Sequence, residues 1–83
     1  MFSRTCLITN ASTNNGIYLF APTNDPELSA IQSMCEKTLS RLNVDHTVDM
    51  TFELACSISA AIHLALKQAK ATDYCVAMQW NDA

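Results

Sequence analysis

The sequence contains little glycine, little proline and few charged residues. One Gly and two Pro among 83 residues leave little material for flexible linkers or for a scaffold made mainly of loops. Charged residues make up 16% of the chain and hydrophobic residues 49%, which argues against intrinsic disorder and supplies enough apolar material for a core. Because chains this short rarely divide, we expect residues 1–83 to form a single small globular domain of marginal stability.

Long apolar runs and clusters of positive charge are also missing. The longest apolar stretch lies within residues 52–66 and is interrupted by four polar side chains, so no membrane span is expected. Five Lys and Arg residues against eight Asp and Glu residues give a net charge of −3. The cations are scattered between Arg4 and Lys70, whereas a groove that follows a phosphate backbone needs several of them together. Direct binding to nucleic acid is therefore not expected.

The four cysteines are spaced too widely for a common metal site. Cys6, Cys35, Cys56 and Cys75 are separated by 29, 21 and 19 positions, whereas structural zinc sites use pairs only two to four residues apart. We expect no metal and no cofactor. The first residues lack the apolar core of a signal peptide, so we expect reduced thiols and a cytoplasmic, reducing compartment rather than a disulfide framework.

Hydrophobic periodicity predicts six elements in the order β-β-α-β-α-β. The predicted elements are a hairpin of strands 4–9 and 17–21, a helix over 26–42, a strand over 44–50, a helix from Thr51 through Lys70 and a strand over 74–80. Asn24 or Asp25 can cap the first helix, and Asn43 can end it in the left-handed conformation.

These elements indicate an α/β or α+β two-layer sandwich, with a four-stranded mixed sheet and two helices on one face. The last three strands are separated by helices of crossover length, which favours parallel pairing. Two helices cover only one side of such a sheet, so the other side should be accessible to water or to a partner. Side-chain alternation assigns to it Asp45, Thr47, Asp49, Cys75, Ala77 and Gln79.

The outer stripe of the second helix is a second candidate contact surface. The stripe comprises Glu53, Cys56, Ala60, His63 and Lys67. Cys56 and Ala60 are small where long polar side chains are typical of a solvated face. Small side chains permit close approach of the first helix or of another protein chain, and both interpretations stay open.

No catalytic pair is evident. Cys56 and His63 share a helix face but lie about 10 Å apart along the axis, too far for a hydrogen bond. His46 lies on the apolar side of its strand, where a packed core histidine is the simpler interpretation. The loop over 22–26 has no glycine to bring backbone amides close to a phosphate, and it reads as a capped turn.

We therefore expect a non-enzymatic small protein that acts by binding another protein, as a regulator or inhibitor of the kind that phages and mobile elements encode. A homodimer is one form that this partner could take. Two alternatives stay open: a small enzyme or ligand sensor with a site at a subunit boundary, using Asp25, His46 or Cys56, and an acidic mimic of nucleic acid. The residues expected to contact a partner are Asp45, Thr47, Asp49, Cys56, Ala60, His63 and Lys67.

Overall fold

The computed structural model describes residues 1–10, 12–44 and 50–81. Within these residues the chain forms a small α+β fold with a three-stranded antiparallel sheet in the order β1-β2-β3 and two helices. The elements are β1 (Phe2–Thr9), β2 (Gly16–Pro22), α1 (Leu28–Arg41), α2 (Phe52–Gln68) and β3 (Cys75–Gln79).

The predicted hairpin is confirmed. β1 pairs antiparallel with β2 from Phe2 opposite Pro22 to Thr9 opposite Gly16, and a bulge at Leu7 shifts the register once. A Cβ atom at Gly16 would lie 2.5 Å from the Ile8 carbonyl oxygen, so the close approach of the two strands requires a residue without a side chain here.

Helix α1 begins two residues later than predicted. The Asp25 carboxylate accepts a hydrogen bond from the Glu27 amide at 3.0 Å, and the Asp25 carbonyl accepts one from the Leu28 amide at 3.2 Å. These bonds form a separate turn ahead of the helix, so Asp25 caps that turn rather than the helix itself. The helix ends at Arg41, one residue earlier than predicted, and Asn43 has the predicted left-handed conformation, with a φ of 55°.

Helix α2 has the predicted N-cap. The Thr51 hydroxyl accepts a hydrogen bond from the Leu54 amide at 3.1 Å. The helix ends at Gln68 rather than Lys70, because Lys70 takes a left-handed φ of 59° and the Ala71 amide donates back to the Leu66 carbonyl.

Both helices pack on one side of the sheet, around a single cluster of buried side chains. β2 contributes Ile17, Leu19 and Ala21 to this cluster. Helical spacing predicts Leu42 and Leu54 on the buried sides of the two helices, but each is 46% exposed: Leu42 is the C-cap residue that follows α1, and Leu54 lies in the first turn of α2. The helical members of the core are Ile31, Cys35 and Leu39 from α1, and Ala55, Ile58, Ile62 and Leu66 from α2.

The predicted parallel direction is wrong for β2 and β3, and the predicted fourth strand is not confirmed by the described residues. β3 pairs antiparallel with β2, with Phe20 opposite Cys75 and Ile17 opposite Met78. One crossover helix would return the chain parallel to β2, but two helices separate β2 from β3, so the chain enters the sheet from the other end. Among the described residues the sheet has three strands.

The predicted strand over 44–50 falls largely outside the described residues. Its two ends are described: Met50 is buried in the core, and Val44 is partly buried against it. Both residues belong to the apolar side that the alternation predicts for this segment.

Neither helix in the described part of the chain combines the length and the apolar character that crossing a membrane requires.

Candidate functional site

The sheet side away from the helices carries a continuous set of aromatic, aliphatic and sulfur-containing side chains. Cross-strand partners point to the same side of a sheet, so the register defines the members of this set. They alternate along each strand with the residues that face the helices. We name this surface the open sheet face; its residues are Phe2, Arg4, Cys6, Tyr18, Phe20, Pro22, Cys75, Ala77 and Gln79.

Arg4 is the one charged side chain that the three described strands direct to the open sheet face. Its guanidinium carbon Cζ lies 4.8 Å from the centre of the Tyr18 ring. A cation over an aromatic ring is stabilised by the ring quadrupole, and here it also covers part of the apolar surface. The strands place no carboxylate on this face to pair with Arg4.

The edges of the open sheet face are its most exposed parts. Phe2 is 64% exposed on β1, and Cys6, Cys75 and Ala77 are exposed on the two outer strands. Tyr18 and Phe20 on the central strand are partly buried, because their neighbours on both sides shield them. The face is thus an accessible apolar surface with aromatic rings along its middle.

One end of the open sheet face contains a shallow depression. The Met1 carbonyl accepts hydrogen bonds from the Thr23 amide at 3.3 Å and from the Thr23 hydroxyl at 3.1 Å, which fixes the start of β1 beside the end of β2. The depression has a volume of about 550 Å³ and opens beside Phe2. Its walls are Met1, Phe2, Pro22, Thr72, Asp73, Tyr74 and Cys75.

The structure tests part of the predicted composition of this face. Cys75 and Ala77 lie on the open side of β3 as predicted, and so does Gln79. Asp45, Thr47 and Asp49 lie outside the described residues, and their part in a partner-binding surface stays a prediction.

All five residues of the α2 outer stripe are exposed, including Cys56, Ala60, His63 and Lys67. α1 packs along the neighbouring flank of α2, and a groove of about 300 Å³ between the helices is bordered by Leu42, Leu64 and Ala65, among others. Of the two interpretations of the small residues, internal packing against α1 is therefore excluded for Cys56 and Ala60. Their role in contact with another chain stays a prediction.

Asp25 and Tyr74 are two titratable side chains in direct contact. The Tyr74 hydroxyl donates to the Asp25 carboxylate at 2.6 Å. This bond, together with the one from the Glu27 amide, lowers the pKa of Asp25. Burial of the phenol and its bond to Asp25 raise the pKa of Tyr74 to about 12. Both groups are thus held in their ordinary states at neutral pH, as in a structural hydrogen bond rather than an acid–base pair.

The other residues that the sequence analysis considered for catalysis are not brought together into a site in the described part of the chain. Cys56 and His63 are both exposed on α2, seven residues apart, and the hydrogen bonds of Asp25 go to other groups. His46 lies outside the described residues. Within the parts of the chain that are described, no group of three or more His, Cys, Asp or Glu side chains is arranged to hold a metal ion.

The sequence analysis missed the aromatic part of the open sheet face. β2 is apolar at nearly every position, and strands of that kind are usually covered on both sides. Because the two helices can cover only one side of the sheet, the apolar residues on the other side of β2, Tyr18 and Phe20, could have been predicted to face away from the helices. Arg4 and Phe2 could be placed beside them only from the hairpin register.

Comparison of the chain with protein-family models, with curated proteins and with solved structures finds no match.

Proposed function

We propose that this protein is a non-enzymatic binding module that acts by docking another protein chain on its open sheet face. The observation that carries the proposal is the composition of that face: Phe2, Tyr18 and Phe20 lie among small apolar and sulfur-containing side chains, and the three described strands add one cation and no carboxylate. Contiguous exposed apolar surface of this kind is characteristic of interaction sites. Aromatic residues and Arg are also the types most enriched where protein interfaces concentrate their binding energy.

The size of the face sets the expected strength of binding. Three strands about 4.8 Å apart and seven residues at about 3.4 Å each give a footprint of roughly 15 by 24 Å, or about 350 Å². A standard interface takes about 800 Å² from each partner, so contact through this face alone belongs to the weak, transient class. Such affinity suits a regulator or inhibitor that associates reversibly.

The α2 outer stripe is the weaker of the two candidate surfaces. It mixes Glu53, His63 and Lys67 with small side chains, so most of its polar groups would lose hydration on docking without a visible compensating partner. The described strands direct one charged group to the open sheet face, Arg4, whose guanidinium already lies over Tyr18. Desolvation therefore costs less at the open sheet face.

The proposal is tested by comparing the parent with Phe20→Lys, which places a charge at the centre of the open sheet face. Ala60→Arg on α2 is the matched control, because it also adds a long cation at an exposed position of the other candidate surface. Each tagged variant is recovered from cells that produce the chain. Any protein retained by the parent is then purified and titrated against all three forms by calorimetry.

We expect Phe20→Lys to lose direct binding of the purified partner while Ala60→Arg keeps it, with both variants folded by circular dichroism. Equal binding by the parent and Phe20→Lys would overturn the proposed use of the open sheet face. Selective loss in Ala60→Arg would assign binding to the α2 outer stripe instead.

A further inference from the structure

The only glycine of the chain directly follows Asn15, and the structure gives each of these two residues a separate role. A Cβ atom at Gly16 would lie 2.5 Å from the Ile8 carbonyl oxygen. The Asn15 carboxamide accepts a hydrogen bond from the Asn81 amide at 2.8 Å and donates one to the Asn81 carbonyl at 3.4 Å. Two independent packing requirements therefore create an asparagine–glycine pair, and none of the other five asparagines precedes a glycine.

An asparagine–glycine pair is able to deamidate without an enzyme. The Gly16 backbone nitrogen loses its proton to a base in solution and attacks the side-chain carbon Cγ of Asn15. The Cγ–Nδ2 bond then breaks, ammonia leaves, and a five-membered succinimide ring forms. Water opens this ring at either carbonyl, so the carboxamide and one water become a carboxylate and ammonium, as aspartate or isoaspartate. Glycine favours the attack because it has no side chain to obstruct it and its backbone rotates freely.

The folded chain holds Asn15 in a conformation that opposes this reaction. The residue is 5% exposed, and both polar atoms of its side chain are hydrogen bonded to Asn81. Its backbone carbonyl accepts a hydrogen bond from the Asn10 amide at 2.8 Å, and Gly16 is paired with Gln79 of β3. The attack must bring Cγ to the Gly16 nitrogen, and the two bonds to Asn81 hold the carboxamide in another position.

We propose that Asn15 is a site of spontaneous deamidation whose reaction is controlled by its contact with Asn81. The reaction proceeds in chains where the segment around Asn81 has detached, and it is slow where the contact is made. This inference concerns a covalent modification of the chain itself. It goes beyond the proposed function of the open sheet face and does not depend on it.

The product of the reaction does not restore the original contact. A carboxylate at position 15 still accepts a hydrogen bond from the Asn81 amide, but it has no hydrogen to donate to the Asn81 carbonyl. A negative charge then lies in a nearly buried site beside that carbonyl oxygen. Isoaspartate also adds one carbon to the main chain just ahead of β2, whose register is fixed by pairing with both neighbouring strands. Deamidation therefore turns a reversible detachment of the Asn81 segment into a permanent weakening of its attachment.

The first measurement compares deamidation of the full chain in its folded state and in guanidinium chloride. Peptide mapping by mass spectrometry follows each asparagine through the mass gained when NH2 is replaced by OH. In the unfolded chain Asn15 should react roughly tenfold faster than the other asparagines, because it alone precedes glycine. In the folded chain its rate should fall by roughly tenfold or more, since the reaction then requires local opening. Equal rates for all asparagines in the unfolded chain would overturn the site.

Hydrogen exchange identifies which opening permits the reaction. The ratio of the folded to the unfolded deamidation rate gives the fraction of chains in which Asn15 is free to react. This fraction should equal the open fraction of the Asn81 amide, because exchange of that amide requires the same bond to Asn15 to break. It should exceed the open fraction of the Leu19 amide in the buried central strand β2. A fraction below that of Asn81, or no larger than that of Leu19, would overturn the control by Asn81.

Two variants at position 81 change the contact directly. Asn81→Pro removes the backbone N–H that donates to Asn15 and should raise the deamidation rate of Asn15 in the folded chain about fivefold or more. Asn81→Ala is the matched control, because it keeps both backbone groups that bind Asn15, and its rate should equal that of the parent. An unchanged rate in Asn81→Pro that is folded by circular dichroism would overturn the proposal. If Asn81→Pro does not fold, the exchange measurement on the parent decides alone.

Discussion

Two asparagine side chains of the β1–β2 loop each hold a backbone segment that is distant in sequence. The Asn10 amide nitrogen donates to the Met50 carbonyl at 3.2 Å, and the Met50 amide donates to the Asn10 side-chain oxygen at 2.8 Å. Asn15 makes the same pair of bonds with Asn81, at 3.4 and 2.8 Å. Each carboxamide thus pairs with both the N–H and the C=O group of one distant residue, and both asparagines are buried. A glycan on the Asn10 nitrogen is incompatible with this contact, although Asn10-Ala11-Ser12 has the acceptor pattern.

Asn10→Ala should destabilise the fold by about 2–3 kcal/mol, because it removes two hydrogen bonds and leaves the Met50 amide and carbonyl without partners. The measurement is the free energy of unfolding in urea. Asn14→Gly is the control: Asn14 is exposed with a φ of 61°, which glycine adopts without strain, so we expect a change within about 0.5 kcal/mol. Equal stabilities of Asn10→Ala and the parent would show that the Asn10 contact is not significant in solution.

The Tyr74–Asp25 bond should make stability depend on pH at both extremes. Folding raises the pKa of Tyr74 from 10.0 to about 12, so its contribution is complete below pH 10 and is lost as the pH rises toward 12. Folding lowers the pKa of Asp25 below 3.8, so its contribution is complete above that value and is lost as the pH falls through the lowered pKa.

The difference in unfolding free energy between the parent and Tyr74→Phe measures the alkaline part of this dependence. We expect the difference to be largest below pH 10 and to shrink between pH 10 and 12, because only the parent has a phenol to ionise. A difference that stays constant across this interval would contradict the role given to the hydrogen bond.

At the scale of elements, the inner stripe of α2 connects the sheet to the rest of the fold. Ile58 is 1% exposed and Ile62 is 0% exposed, and both belong to the core cluster with the inner side chains of β2. The Thr51 cap fixes where the helix begins, and burial of one side chain about every fourth position fixes which side of the helix faces the core. The sequence periodicity predicts the buried positions Ile58, Ile62 and Leu66 of this stripe, whereas Leu54 in the first turn is exposed.

Ile58→Ala or Ile62→Ala should each cost about 2–5 kcal/mol, a large part of the stability of a domain this small. Ser29→Ala on the exposed face of α1 is the control and should change little. Thermal and urea unfolding measure both effects. A melting temperature for Ile58→Ala equal to that of the parent would mean that α2 is rotated from the orientation described here.

At the scale of the whole molecule, the four cysteines report how the layers are arranged. Cys35 lies on the side of α1 that faces the core and is 0% exposed. Its burial, together with the nearby Glu36 carboxylate, raises the pKa of its thiol. Cys6, Cys56 and Cys75 are exposed, and all four side chains are free thiols in the structure. The thiolate is the reactive form, so Cys35 is doubly protected.

We predict that alkylation of the folded chain without reductant labels three thiols rapidly, and that unfolding releases a fourth. Mass spectrometry counts the labels, and peptide mapping identifies Cys35 as the slow site. Fewer than four labels after unfolding would show that disulfides or another modification are present. Rapid labelling of all four in the folded state would show that α1 does not cover Cys35.

Local chemistry by itself determined much of this protein. The β1–β2 hairpin, both helices, the Thr51 cap, the left-handed Asn43 and the inner stripe of α2 follow from turn-forming residues, capping oxygens and apolar spacing, all of which act within a few residues of the chain. The alternation along β3 likewise placed Cys75 and Ala77 on the side away from the helices.

Only the tertiary structure decided the direction of β3 and the composition of the candidate site. Strand direction depends on how many elements return the chain to the sheet, and no side chain within β3 encodes it. Arg4 meets Tyr18 only because the hairpin register brings them together, and Asn10 finds Met50 across 40 positions of sequence. Contacts of this kind depend on long-range packing, which hydrophobic periodicity does not specify.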